Sequence, residues 1–252
     1  MKKVWILALV LPMVIACKQE TKKAGNMSSE AVGATLENTS QTSSEWVTLF
    51  DGKTFEGWQK FGGGDVPGEW KIEEGAMVFY PPKERAKGAH YDINTVKTYT
   101  NFELSLEWKI APKGNSGVFW GVSEDEKFKV PYVTGPEIQV LDNAGHPDAD
   151  VANSHQAGAL YDMVAPAKDV TKPAGAWNTM VIYVNYDAHE GHVDMNGERI
   201  VNFPLANSGW DEMVAKSKFA DWEGFGIFKT GKIGLQDHGD VVAYRNIKIK
   251  KL

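Results

Sequence analysis

The chain has 252 residues, a net charge of −6 and a single cysteine. One cysteine excludes an intramolecular disulfide, and no Lys/Arg block interleaves with aromatics, so the composition gives no support to nucleic acid as a partner. A His-x-x-x-His pair, a Gly-x-Ser-x-Gly elbow and a phosphate loop are also missing, which leaves zinc peptidase, esterase and nucleotide chemistry without support.

The N-terminus reads MKKVWILALVLPMVIAC. Two lysines ahead of an apolar run too short to span a bilayer predict a secretory leader over residues 1–16. Its end, Val14, Ile15, Ala16 and Cys17, resembles a bacterial lipobox. Cys17 is therefore expected to carry lipid and to anchor the protein in the cell envelope, at the periplasmic or surface face of the outer membrane. Residues 17–45 have no aromatics and almost nothing to bury, and read as a disordered tether. From Trp46 aromatics arrive every few residues, and 46–252 reads as one all-β domain.

WKIEEGAMVFY predicts two strands joined at Glu73-Glu74-Gly75. In FELSLEWKI (102–110), Phe102, Leu104, Leu106, Trp108 and Ile110 alternate with polar residues, the pattern of a strand with one buried face. GVFWGV, EIQVL and NTMVIYVNY follow as further strands, then HVDM and ERIVNF around the hairpin dipeptide Asn196-Gly197. One helix is expected near 209–219 inside a long decorated loop, with Ser208 and Asp211 as a capping box. KIGLQDH and VVAYRNIKIKKL complete the set. Many short strands with Gly-rich turns, and no strand–helix alternation, predict a two-sheet antiparallel β-sandwich or jelly roll.

Strand parity then locates polar stripes. In EIQVLD, Ile138 and Val140 suit the core, so Glu137 and Gln139 face away from it. Gly234, Gln236 and His238 behave alike against Ile233 and Leu235. Asn115 and Ser116 open another strand beside glycines that leave room for a ligand, and SHQAGALY adds His155 and Tyr161. Each residue alone is also explained by a solvated surface; two stripes of the same composition argue for a shared cleft. Asp142, on the core-facing parity, is expected to cap the next turn. Asp142 and His146 are the candidates for a metal in or beside DNAGHPDAD, although the EF-hand order is missing. A divalent cation is admissible and no cofactor is required. Arg245 shares parity with Ile247 and Ile249, so only a bulge or the strand's exit would aim it at the cleft. Trp70, Trp120 and Trp177 all suit sugar stacking, with the core the expected home of two.

Six stretches in order, LFDGKTFEGW, GNSGVF, GPEIQVLD, GALYDMVAP, GAWNTMVI and IGLQDHGDVVAYRNIKI, resemble the 3-keto-disaccharide hydrolase family. The similarity runs from Trp46 to Leu252. It implies a concanavalin A-like jelly roll, often in a secreted or lipoprotein form. It also implies cleavage of glycosidic bonds in glycosides or disaccharides already oxidised to a ketone at C3.

The chemistry suits these residues. A ketone at C3 lets the carbanion formed at C2 delocalise as an enolate, and the aglycone on C1 then leaves by β-elimination, with water added afterwards. Such a site needs a base for the C2 proton, donors for the enolate oxygen and an acid for the leaving oxygen. Glu137 or His155 is expected as the base and His238 as the acid or enolate donor. Asn115, Gln139, Tyr161, Gln236 and Arg245 are expected to hold substrate. Two other readings stay open. Glu137-Ile-Gln139-Val-Leu-Asp142 resembles the strand motif of retaining endo-glucanases, whose carboxylates lie about 5 Å apart. A non-catalytic sugar-binding module would use the same cleft.

Overall fold

The computed structural model describes residues 45–252. The expected leader, Cys17 and nearly all of the tether lie outside the described residues. Within them the strands are β1 (Val47–Thr48), β2 (Trp58–Lys60), β3 (Trp70–Glu73), β4 (Ala76–Phe79) and β5 (Ile93–Thr95). They continue as β6 (Phe102–Ile110), β7 (Asn115–Val122), β8 (Glu137–Leu141), β9 (Asn178–Asn185) and β10 (Glu190–Met195). The chain closes with β11 (Glu198–Pro204), the helix α1 (Ser208–Lys216), β12 (Lys232–Leu235) and β13 (Val242–Lys251).

The strands form two antiparallel sheets packed as a jelly-roll sandwich. One runs β11-β10-β9-β6-β13-β4-β3 with β1 beside β13; the other runs β2-β5-β12-β7-β8. Side-chain period two decides the packing. Along β6 every second residue, Phe102 to Ile110, is buried. Val118 and Trp120 of β7 and Ile138 and Val140 of β8 join the same core from the other sheet. Each large apolar side chain so buried contributes about 1.5–3 kcal/mol.

Turn chemistry fixes the registers. Asn196 (φ 51) and Gly197 (φ 85) join β10 to β11, and Glu74 (φ 49) and Gly75 (φ 76) join β3 to β4. Both pairs are left-handed at successive residues, which matches the twist of the flanking strands. The cap of α1 differs from expectation. Asn207, one residue before Ser208, is the N-cap, and its side chain accepts from the Gly209 and Trp210 N–H groups.

β13 changes neighbours along its length. Val242 to Tyr244 pair with β4, whereas Lys248 and Ile249 pair with β1. Its register with β6 shifts between Arg245 and Lys248, and Asn246 takes φ 53 there. This bulge turns Tyr244, Ile247 and Ile249 all into the core and leaves Arg245 on the other face.

Candidate active site

On the five-stranded sheet the face turned away from the core is built by strand parity. Gly117 pairs with Gln139, Phe119 with Glu137, and Gly234 with Phe119, so these residues of β7, β8 and β12 share one surface. Over that surface lies a cavity of about 250 Å³. Its walls include Asn115, Glu137, Gln139, Tyr161, Gln236 and His238, all expected from the sequence.

The floor is polar and buried. Asn115, Glu137, Gln139 and Gln236 are each at most 8% exposed. The amide oxygens of Asn115, Gln139 and Gln236 have no hydrogen-bond partner within the protein. A buried unpaired acceptor costs about 1–3 kcal/mol, so three around one cavity form a receptor for hydroxyl donors.

The two ionisable groups on this surface are pushed in opposite directions. Burial raises the Glu137 carboxyl to about 8, with Asp92 and Asp148 adding to the rise and Lys218 and a hydrogen bond with Gln236 opposing it. At neutral pH this acid keeps its proton. His238 stands at the rim with exposed surface. Lost hydration nevertheless holds its imidazole below the usual histidine value, against the carboxylate of Asp240. It is therefore a neutral acceptor at pH 7.

His155 does not reach the cavity. Its Nδ1 lies 3.0 Å from Asp148 Oδ1 and its Nε2 lies 3.0 Å from Asp162 Oδ1, so neither nitrogen is free to take a substrate proton. Its ring stacks on Tyr161 at 4.5 Å. The Tyr161 hydroxyl donates to Asp148 Oδ2, and Lys218 Nζ sits 4.1 Å from the centre of the Tyr161 ring. Asp162 Oδ2 also accepts from the Lys218 N–H. This cluster ties His155 to the Tyr161 wall of the cavity.

Arg245 is likewise elsewhere. The bulge places it on the outer face of the eight-stranded sheet, where its Nε donates to Glu107 at 2.7 Å. Its guanidinium lies 4.0 Å from the Trp177 ring. Trp70 and Trp120 are core residues, whereas Trp177 is half-buried on that outer face. Asp142 accepts from the Lys113 N–H at 2.8 Å and so caps a turn. His146 Nδ1 accepts from the Asp148 N–H and caps the short 3-10 helix Pro147–Asp150. Among the described residues no group of three or more His, Cys, Asp or Glu side chains is placed to hold a metal. Asp142 does not line the cavity with Glu137, so the carboxylate pair of a retaining glucanase is not assembled.

Sequence reasoning missed the loop walls. Tyr132, Lys218, Phe219, Trp222 and Phe225 close the cavity from segments outside the sheets. The three-residue spacing of Phe219, Trp222 and Phe225 was the available signal. Also missed was the brace behind His238. Arg85 binds Asp237 through two nitrogens at 2.7 and 2.6 Å, and Asp237 N–H donates to Asp92. Burial raises the Asp92 carboxyl to about 7 despite that donor.

Residues 45–250 match the model of the 3-keto-alpha-glucoside-1,2-lyase-like domain. A protein of Bacteroides thetaiotaomicron named 3-keto-disaccharide hydrolase is 36% identical, over 82% of this chain and 78% of its own. A crystal structure from Parabacteroides distasonis, named as a candidate glycosyl hydrolase, is 35% identical with a TM-score of 0.74, covering 82% of this chain and 94% of that one. A second from the same organism, similarly named, is 26% identical with a TM-score of 0.61 and is covered in full. With the match spanning nearly the whole described domain, the chain belongs to the family of 3-keto-alpha-glucoside-1,2-lyase-like domains.

Proposed function

We propose that this domain cleaves the glycosidic bond of glycosides oxidised at C3, disaccharides among them, by C2 deprotonation and β-elimination followed by addition of water. The observation that carries the reading is one cavity holding a protonated Glu137, a neutral His238 and three unpaired amide acceptors. The relative named for 3-keto-disaccharides supports the substrate class.

The protonation states assign the roles in the reverse of the sequence expectation. The His238 imidazole takes the C2 proton. The carbon's electron pair passes to the C3 oxygen as an enolate, held by amide N–H donors of Asn115 and Gln139. The enolate re-forms the ketone and opens a C1–C2 double bond, and Glu137 gives its proton to the departing C1 oxygen. Water then adds to C1: Glu137, now a carboxylate, takes the water proton, and the imidazolium returns a proton to C2. Both groups end as they began. Each contributes about 10²–10⁴-fold. No resident metal is assigned, because Asp142 and His146 are engaged in capping.

The test is the purified domain with matched p-nitrophenyl glucosides, oxidised at C3 or not. Nitrophenol release from the ketone alone, lost in Glu137→Gln and His238→Asn, supports the reading. Release from both substrates selects conventional hydrolysis, and release from neither selects a binding module. A lipid anchor at Cys17 would hold the domain at the cell envelope. Radiolabelled fatty acid incorporated by the full chain and not by Cys17→Ser would support that anchor, and no incorporation would refute it.

A further inference from the structure

The cavity is divided by chemistry as well as by depth. Its buried floor is polar, whereas its exposed rim is aromatic. Tyr132 is 37% exposed and Trp222 half-buried, with ring centroids 6.1 Å apart. Behind Trp222, Phe219 and Phe225 are buried and stacked on each other at 3.8 Å, and Trp222 meets both edge-on. The backing fixes the Trp222 plane at the mouth. Gly226 donates its N–H to Thr134, which ties this loop to the segment carrying Tyr132.

The volume of about 250 Å³ falls below the roughly 300–1,000 Å³ of sites that enclose drug-sized ligands. It suits one sugar ring. With a terminal ring bound over Asn115, Gln139 and Gln236, the group on C1 leaves through the mouth. There it meets the Tyr132 and Trp222 rings, the Lys218 ammonium and the His238 imidazole.

We infer that the enzyme acts on a terminal ketosugar and that Tyr132 and Trp222 form a leaving-group subsite selective for a flat, apolar face such as an aryl ring. This rests on the proposed cleavage of 3-keto glycosides and adds to it the class of leaving group. An offset or edge-to-face aromatic contact supplies the discrimination.

The test uses phenyl and hexafluoroisopropyl 3-keto-glucosides, whose leaving alcohols are similar in acidity and differ in planarity. In wild type, kcat/KM is expected to favour phenyl. Trp222→Leu keeps apolar bulk without a plane and should lower that preference about tenfold, whereas Trp222→Tyr should restore most of it. An equal fall for both substrates in Trp222→Leu, or an unchanged preference, would overturn the subsite. Wild-type turnover of both without preference would overturn it while leaving the cleavage reading intact. Turnover of neither rejects the cleavage reading and this inference with it.

Discussion

Glu137 fills the space that a side chain at Gly117 would need: a Cβ on Gly117 would lie 2.6 Å from the Glu137 carboxyl carbon. Gly117 has no left-handed φ, so its requirement is for room and not for backbone freedom. Gly117→Ala is therefore expected to displace the carboxyl and lower turnover on a 3-keto glycoside by about 10²-fold, the share of one general acid. Circular dichroism should show the fold intact. Full activity would show that Glu137 works in another position.

The pH–rate profile should be bell-shaped. His238 must be neutral to take a proton, so the rate falls on the acid side as an imidazole below its ordinary value becomes charged. Glu137 must be protonated to give one, so the rate falls again near pH 8. In Glu137→Gln the residual rate should lack the alkaline limb. An alkaline limb that persists in that variant would move the acid role elsewhere.

The same carboxyl makes stability depend on pH. Its folded value of about 8 lies above its unfolded value of 4.5, so the folded state holds a proton that the unfolded state releases between these limits. Stability from this group is complete below 4.5 and is lost as pH rises towards 8. Glu137→Gln should accordingly gain Tm relative to wild type with increasing pH across that window. A constant Tm difference would show that the buried acid is not protonated as argued.

The local pattern was legible where one strand carries its own evidence. FELSLEWKI announces β6 because its alternation needs no knowledge of neighbours, and Glu137 and Gln139 follow from Ile138 and Val140 by the same parity. Partnerships between distant segments are not written locally. Arg85 and Asp237 stand 152 positions apart, and the place of Asp237 in IGLQDHGDVVAYRNIKI says nothing of its partner. His155 looked like a base because an imidazole near a polar stripe resembles one; its two carboxylate partners come from loops that parity cannot place. Arg245 showed its anomaly in the sequence, but the direction of the bulge depended on the pairing of β13 with β6.

Arg85 and Asp237 give a separate stability test. The Asp237 side chain is fully buried, while that of Arg85 is 33% exposed. Arg85→Met leaves the carboxylate without its counter-ion, held only by the Tyr91 and Gly239 N–H groups, and should destabilise by about 3 kcal/mol, the lower part of the range for a broken buried pair. Asp237→Asn in that background should recover part of the loss. Chemical denaturation of wild type, Arg85→Met, Asp237→Asn and the double variant measures the coupling, and a value near zero would show that the pair does not brace the 236–238 segment.

His155 should behave as a support. His155→Gln is expected to lower kcat/KM by about tenfold, within the range for one displaced positioning contact, while both limbs of the pH profile stay where they are. Loss of the acid limb in this variant would return the proton-abstracting role to His155.

The bottom of the binding hollow is seated where 117 and 234 lack side chains, so that Glu137 and Phe119 lie close against the five-stranded sheet. A Cβ at 117 would strike the Glu137 carboxyl, and one at 234 would press on the Phe119 ring. Its border, by contrast, is a connecting segment beyond α1 that belongs to no ladder. Changes of scope, in laboratory or lineage, are therefore channelled to residues 217–228, where a segment can be exchanged while the reactive groups keep their places.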